Sequence, residues 1–421
     1  MVPHPMTRHP LPALALVAAT FAAAAPARAA DELPPVSERA KKVHAAGMLF
    51  DGHNDLPWRL RAEGDIKFET LDIAKRLSTG QTDIPRMREG GLKAQFWSVY
   101  IPSEHKDPAR TVTEQIDIVR RMVERYPDDL EMAYSADDVE RVVKAGKIAS
   151  LIGIEGGVAI ENDLAQLRAF AALGARYMTL THNTTLDWAD AATDTPKHGG
   201  LAPFGERVVR EMNRLGMLVD ISHVSPDTMD DVLRVSAAPA IASHSSAYAI
   251  AHHPRNVPDE ILKRLPKNGG VVMVNFYSGF VVPEFAAKVA AARRDLRVKY
   301  PEPAAFSKAY SAWFKANPQP RGNVASVADH IDHIKKVAGV DHLGIGSDFA
   351  GITAGPAGLE DVSDYPRLTE ELLKRGYADE EVHKILGGNI LRAFREAGKV
   401  SGRLKATTRP EVDQPGPEKD D

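Results

Sequence analysis

Seven residues of metal-binding or proton-transferring type close a series of short apolar runs: His53, Asp55, Glu155, His182, His223, His244 and Asp348. His53 and Asp55 follow Leu49-Phe50 at positions i and i+2. On a strand those positions point to one side, so both reach one ion. An imidazole and a carboxylate suit a divalent metal such as zinc. Alone, a His-x-Asp pair is more often a capped turn, His182 a satisfied core histidine, His223 a turn residue and Asp348 a helix cap. Their recurrence after one apolar run after another favours a common site. Three histidines and two carboxylates (His53, Asp55, Glu155, His223, His244) exceed the three protein ligands of one open catalytic zinc. The inventory points to two zinc ions per subunit, with Glu155, which lies between the two pairs in the chain, as the bridge. A carboxylate bridges ions ~3.5–4 Å apart, and a bridging water is then deprotonated near neutral pH.

The elements that must position these residues alternate. Strands are expected at Met48–Asp51, Ala94–Ile101, Ile148–Ile154, Tyr177–Leu180, Leu218–Ile221, Ala240–Ala242, Val271–Asn275 and His342–Gly346. Several are apolar throughout, as buried parallel strands are. Between them run amphipathic helices. Glu114 to Tyr126 puts Ile116, Val119, Met122, Val123 and Tyr126 on one face. Ser135 with Asp138 caps a second helix, Gly216 stops a third after Leu215, and Ser225-Pro226 opens a fourth. This rhythm predicts a (β/α)8 TIM-type barrel spanning 30–402, with an open doubly wound sheet as the alternative. In such a barrel the site forms at the C-terminal ends of the strands, where the seven residues fall. Gly279 to Asn323 breaks the rhythm and reads as a helical insertion between strands 7 and 8 that could roof the site.

The ends carry addresses rather than chemistry. Residues 1–29 have Arg8, an apolar run from Leu11 to Ala25 and Ala27-Arg28-Ala29 as a cleavage site, the pattern of a secretory signal peptide. Removing them leaves 51 basic against 57 acidic residues, a net charge of -6 that argues against a nucleic-acid partner. The chain has no cysteine, hence no disulfide, no thiolate ligand and no site for lipid attachment through sulfur. A periplasmic or secreted protein without a stable membrane anchor fits. Residues 403–421 are Pro-rich and charged and read as a disordered tail.

A resemblance then covers nearly the whole mature chain, from about residue 40 to about 400. Asp51-Gly-His-Asn-Asp-Leu-Pro-Trp58, Ile154-Glu-Gly-Gly157, Tyr177-Met-Thr-Leu-Thr-His182, Asp220-Ile-Ser-His-Val-Ser225, Ser243-His-Ser-Ser-Ala-Tyr248, Arg255-Asn-Val-Pro-Asp259, Val274-Asn-Phe-Tyr277, Gly346-Ser-Asp-Phe349 and Gly387-Gly-Asn-Ile-Leu-Arg392 resemble the membrane (renal-type) dipeptidase family, peptidase family M19. The resemblance implies an amidohydrolase-like dizinc metallopeptidase. It would act on dipeptides with free amino and carboxyl ends, with an L or D residue at the C-terminal position, through a hydroxide bridging the two zincs. It places His53, Asp55 and Glu155 on one zinc and Glu155, His223 and His244 on the other. His182 would stabilise the oxyanion, Arg255 would pair with the substrate carboxylate, Tyr277 would line the substrate site and Asp348 would shuttle the proton. Members of the family are commonly homodimers. Two departures stand out: Ala350 where the family often has aspartate, and Phe280 where it has tyrosine. Other readings stay open: an amidase, lactonase or phosphotriesterase on the same scaffold, a non-catalytic periplasmic peptide- or metal-binding protein, or a barrel with structural, metal-free histidines.

Overall fold

The computed structural model describes residues 34–318, 320–352 and 355–412. The expected signal peptide (1–29) lies outside them, as do residues 413–421 of the expected tail. Nine parallel strands are described: β1 (Leu49–Asn54), β2 (Leu92–Tyr100), β3 (Leu130–Met132), β4 (Ile148–Glu155), β5 (Ala175–Thr179), β6 (Leu218–Asp220), β7 (Ala240–Ala242), β8 (Val271–Val274) and β9 (Leu343–Ile345). Eight of them close a ring. β2 pairs with β1 and β4, β1 with β9, and β4 through β9 pair in chain order. The (β/α)8 barrel is therefore the architecture, not an open sheet. β3 is an addition that the sequence pattern did not predict. It pairs with Ile148 to Ser150 of β4, on the edge that β5 takes over from Ile152.

The alternation of side chains along the strands separates two apolar clusters. Phe50, Phe96, Leu151, Tyr177, Leu218, Ile241, Val271 and Met273 form one, inside the ring. Trp97, Val99, Ile152, Ile154, Met178, Val219, Val272 and Val274 face the other way and pack with the helices. The inner cluster also holds Ile390, Phe394 and Ala397 of the last helix, Asn389–Thr407, with the Phe394 ring 6.2 Å from that of Phe96. That helix seals the barrel at the end opposite the catalytic-type residues. Asn389 donates to the carbonyls of Val340 and Leu343, and Arg392 to those of Gly269 and Asp341. The Gly387–Arg392 motif is therefore a fastener, not chemistry.

The helix caps fall where the sequence puts them. Ser135 accepts from Asp138 N–H, Ser225 accepts from Thr228 N–H, and Gly216 ends its helix at φ 80°. The helix expected from Glu114 begins earlier, at Pro108, because proline fits the first helical turn. The tail begins later than Arg403. The last helix continues to Thr407, and Glu411 still accepts from Arg168 and Arg207. Proline first appears beyond it at Pro410, so nothing in 403–407 opposes a helix. The insertion is helical as expected, with Ser278–Val281, Pro283–Lys299 and Pro303–Ala316 ahead of the barrel helix Val324–Ala338. No helix among the described residues is long and apolar enough to cross a membrane.

Candidate active site

All five of the residues counted as ligands meet at the C-terminal mouth of the ring, around Glu155. The two oxygens of Glu155 face different groups. Oε2 lies 3.5 Å from His53 Nε2 and accepts from the Ser98 hydroxyl. Oε1 lies 3.0 Å from His223 Nε2 and 3.4 Å from His244 Nε2. Asp55 Oδ2 is 3.3 Å from His53 Nε2, and the Nε2 atoms of His223 and His244 are 3.0 Å apart. Donor sets drawn from His53, Glu155 and His244, from Glu155, His182 and His223, and from His53, Asp55 and Asp348 each converge within 4.8 Å.

Neighbouring groups decide which ring nitrogen is free. The Tyr177 hydroxyl donates to Gly52 O, so its oxygen accepts from His53 Nδ1–H at 2.9 Å. The Ser243 hydroxyl donates to Asp220 at 2.6 Å, so it accepts from His244 Nδ1–H at 2.8 Å. Both rings thereby commit Nδ1 to a neighbour and turn Nε2 to the centre, the nitrogen a metal would take. His53 Nε2 is buried without a well-formed hydrogen bond and faces the Asp55 and Glu155 carboxylates at 3.3 and 3.5 Å, an arrangement that a cation between them would satisfy. The donor set of imidazoles and carboxylates, without sulfur, fits zinc.

The electrostatics divide the histidines: burial lowers His53, yet Tyr177, Asp55 and Glu155 raise it well above the ordinary imidazole pKa, so without a metal it carries a proton. Burial drives His223 and His244 well below the ordinary imidazole pKa, so both are neutral. Burial opposes the charge on Glu155, yet His53 and the rings of His223 and His244 hold it well below the carboxylate range. His182, at the rim, is lowered to about 4 by burial, with Arg255 and Arg293 adding to the effect against Glu155. Burial raises Asp348 to about 7, with Asp55 and Glu155 adding to the rise. Asn275 donates to Asp348 Oδ2 at 2.8 Å.

Two site residues hold left-handed backbone, His223 at φ 68° and Asp348 at φ 66°. Such strain persists only where the surroundings over-determine it. Close approach also demands Gly351, where a Cβ would come within 2.2 Å of Asp55 Oδ2. Arg255 is fully buried beside the histidines. It donates to Ser245 Oγ and His244 O, and its Nε has no partner. Its guanidinium stacks 5.2 Å over Phe280, so the departure at that position leaves a face for the cation in place of a hydroxyl. Tyr277 packs edge-on against Phe280 at 4.8 Å. Ala350 has φ 68°, a conformation that aspartate or asparagine adopts more readily than alanine.

The family described as membrane dipeptidase (peptidase family M19) matches residues 37–408. This chain belongs to peptidase family M19. Among solved structures it is similar to the probable dipeptidase PvdM of Pseudomonas aeruginosa, with 28% identity, a TM-score of 0.77, and coverage of 86% of this chain and 98% of that one. A second is described as a dipeptidase and metallopeptidase of family M19, with 26% identity, TM-score 0.70, and coverage of 83% and 98%. A third is a metallopeptidase of Rhodobacter sphaeroides liganded with a phosphinate mimic of the dipeptide L-Ala-D-Ala, with 25% identity, TM-score 0.68, and coverage of 83% and 99%. The M19 assignment makes this chain a metallopeptidase of the dipeptidase type on a (β/α)8 barrel.

Several supporting residues of this M19 peptidase escaped the sequence reading. Tyr177 and Ser243 orient His53 and His244. Asp51 accepts from His53 N, Ser347 N and the Tyr365 hydroxyl, and Asp220 accepts from Ser222 N, Ser243 N and Thr179 Oγ1. The available signal was the aspartate two residues before His53 and three before His223, each following an apolar pair ahead of a candidate ligand.

Proposed function

We propose that this M19 peptidase is a zinc-dependent dipeptidase that holds two zinc ions and cleaves free dipeptides with an L or D residue at the C-terminal position. We also propose that it is exported to the periplasm by its first 29 residues. The observation that carries the reading is the division of Glu155, one oxygen toward His53 and the other toward His223 and His244. The mimic of L-Ala-D-Ala held by the Rhodobacter sphaeroides relative supports the substrate class.

His53 and Asp55 would hold one ion, His223 and His244 the other, with Glu155 between. The metal pair supplies Lewis acidity to the scissile carbonyl and makes water acidic near neutral pH. His182, neutral because burial lowers it to about 4, keeps a ring N–H to donate to the oxyanion as the carbonyl becomes tetrahedral. One such donor is worth about 3 kcal/mol. Asp348 accepts the proton from the attacking water and passes it to the leaving amine, a transfer for which a pKa near the working pH is suited. Arg255 fixes the free carboxylate through a planar fork.

A panel of dipeptides with matched L and D C-terminal residues, assayed with and without chelator, tests the reading. Cleavage that survives complete metal removal would overturn it. Asp348→Asn is expected to lower kcat at least 100-fold while bound zinc stays at wild-type content. Arg255→Ala should raise KM for free dipeptides far more than for C-terminal amides, and an equal loss on both would remove its assigned role.

A further inference from the structure

Beside His182 the mouth of the barrel widens into a cavity of about 290 Å³ that the ligand set does not use. Its walls include Tyr100 at the end of β2 and, from the insertion, Arg293, Phe306 and Tyr310. The Tyr100 ring packs against His182 at 4.7 Å, so the cavity shares a wall with the reaction centre. The Arg293 guanidinium lies 5.3 Å from the Phe306 ring and 5.6 Å from the Tyr310 ring, and its Nε donates to Thr193 O. Among the described residues no carboxylate lies within ion-pair distance of Arg293. Its neighbour Arg297 differs, because Asp194 stands 3.4 Å away and balances it. Glu104 also lines the cavity but is exposed at its rim. Burial holds Arg293 below the ordinary guanidinium pKa without discharging it.

A planar cation that is half-buried, braced on two aromatic faces and whose nearest acidic neighbour, Asp194, is already paired with Arg297 is an anion receptor. The C-terminal carboxylate of a dipeptide is already assigned to Arg255. Resting on the dipeptidase reading, we propose that the Arg293 cavity is a subsite for a second carboxylate carried on a substrate side chain. The preferred substrates are then acidic dipeptides containing glutamate or aspartate. Glutamine fills the same space as glutamate but leaves the cation unpaired.

The test compares kcat/KM of the zinc-loaded enzyme on isosteric pairs: L-Glu-L-Ala with L-Gln-L-Ala, L-Ala-L-Glu with L-Ala-L-Gln, and L-Ala-D-Glu with L-Ala-D-Gln. At least one acidic member should exceed its isostere by about tenfold or more, the size of one charge-assisted pairing. Arg293→Met should collapse that ratio toward one, while Arg293→Lys, which keeps the charge, should retain part of it. The same pairs as non-hydrolysable reduced-amide analogues, titrated by calorimetry, read the subsite without turnover. Equal affinities within every pair, or a ratio unchanged in Arg293→Met, would overturn the proposal. A binding ratio that stands without cleavage of any dipeptide would instead leave the subsite and overturn the dipeptidase reading.

Discussion

Tyr177 reaches His53 only because the neighbouring strand leaves it room. A Cβ at Gly153 would lie 2.0 Å from the tyrosine ring, so the ring fills the space above that glycine and its hydroxyl reaches His53 Nδ1. Removing the hydroxyl should free the His53 ring to rotate and exchange tautomers. Tyr177→Phe is expected to weaken zinc affinity about 10–100-fold, measured by competition with a chelating dye. Wild-type affinity in that variant would show that Tyr177 only packs. Ala350 offers a cleaner energetic case. An alanine at φ 68° costs on the order of 1 kcal/mol that glycine does not. Ala350→Gly should therefore raise the denaturation free energy by roughly that amount, read from urea melts. At this scale the candidate site was legible because histidine, aspartate and glutamate at successive strand ends are conspicuous. Tyr177, Ser243 and Arg293 were not. Their roles depend on which strand or insertion helix lies beside which, and a residue such as Tyr177 reads as ordinary core until its neighbour is known to be Gly153.

Among the elements, the helix Val324–Ala338 links the roof to the ring through one buried histidine. His330 Nδ1 accepts from Ala247 N at 3.0 Å, in the loop after β7, and Nε2 donates to Val281 O at 3.3 Å, at the end of the first insertion helix. Burial lowers its pKa to about 4, against an ordinary value of 6.5. A depressed histidine is neutral in the fold, so the unfolded chain takes up the proton first as pH falls. Its contribution to stability is whole above 6.5 and drains away between 6.5 and about 4, at about 1.4 kcal/mol per pH unit. His330→Asn keeps an acceptor for Ala247 but cannot titrate. The metal-free variant should lose less stability than the metal-free wild type across that window, and parallel pH curves would refute the assignment. Strand positions were recognisable from apolar runs. β3 was not, since Leu-Glu-Met carries no pattern at three residues, and the first turn of the helix at Pro108 was hidden by its polar composition.

For the whole molecule, the apolar interior and the metal centre are separable. The inner cluster is filled by side chains from the strands, the helix Ala136–Lys144 and the last helix, and no would-be ligand belongs to it. Chelation should lower the melting temperature while leaving the far-ultraviolet dichroism of the barrel intact. Zinc at 100 times its Kd should restore about 2.7 kcal/mol for each site filled. Loss of secondary structure on chelation alone would mean that the metal builds the barrel. The ring itself is thinnest at one seam. β1 and β9 share a single registered pair, Asp51 with Ile345, and beyond the strands the joint is continued by the Asn54–Phe349 bridge, by Asp348 N–H to His53 O and Asp55 N–H to Phe349 O, and by the Asp51 carboxylate binding Ser347, 296 residues away, and Tyr365. His53 and Asp55 stand on one side of that seam and Asp348 on the other. Asp348 therefore meets His53 and Asp55 only when the two ends of the barrel have found each other, a slow encounter for contacts so remote in sequence. Recovery of turnover by refolding chains, which needs Asp348, thus marks the moment at which the ring shuts.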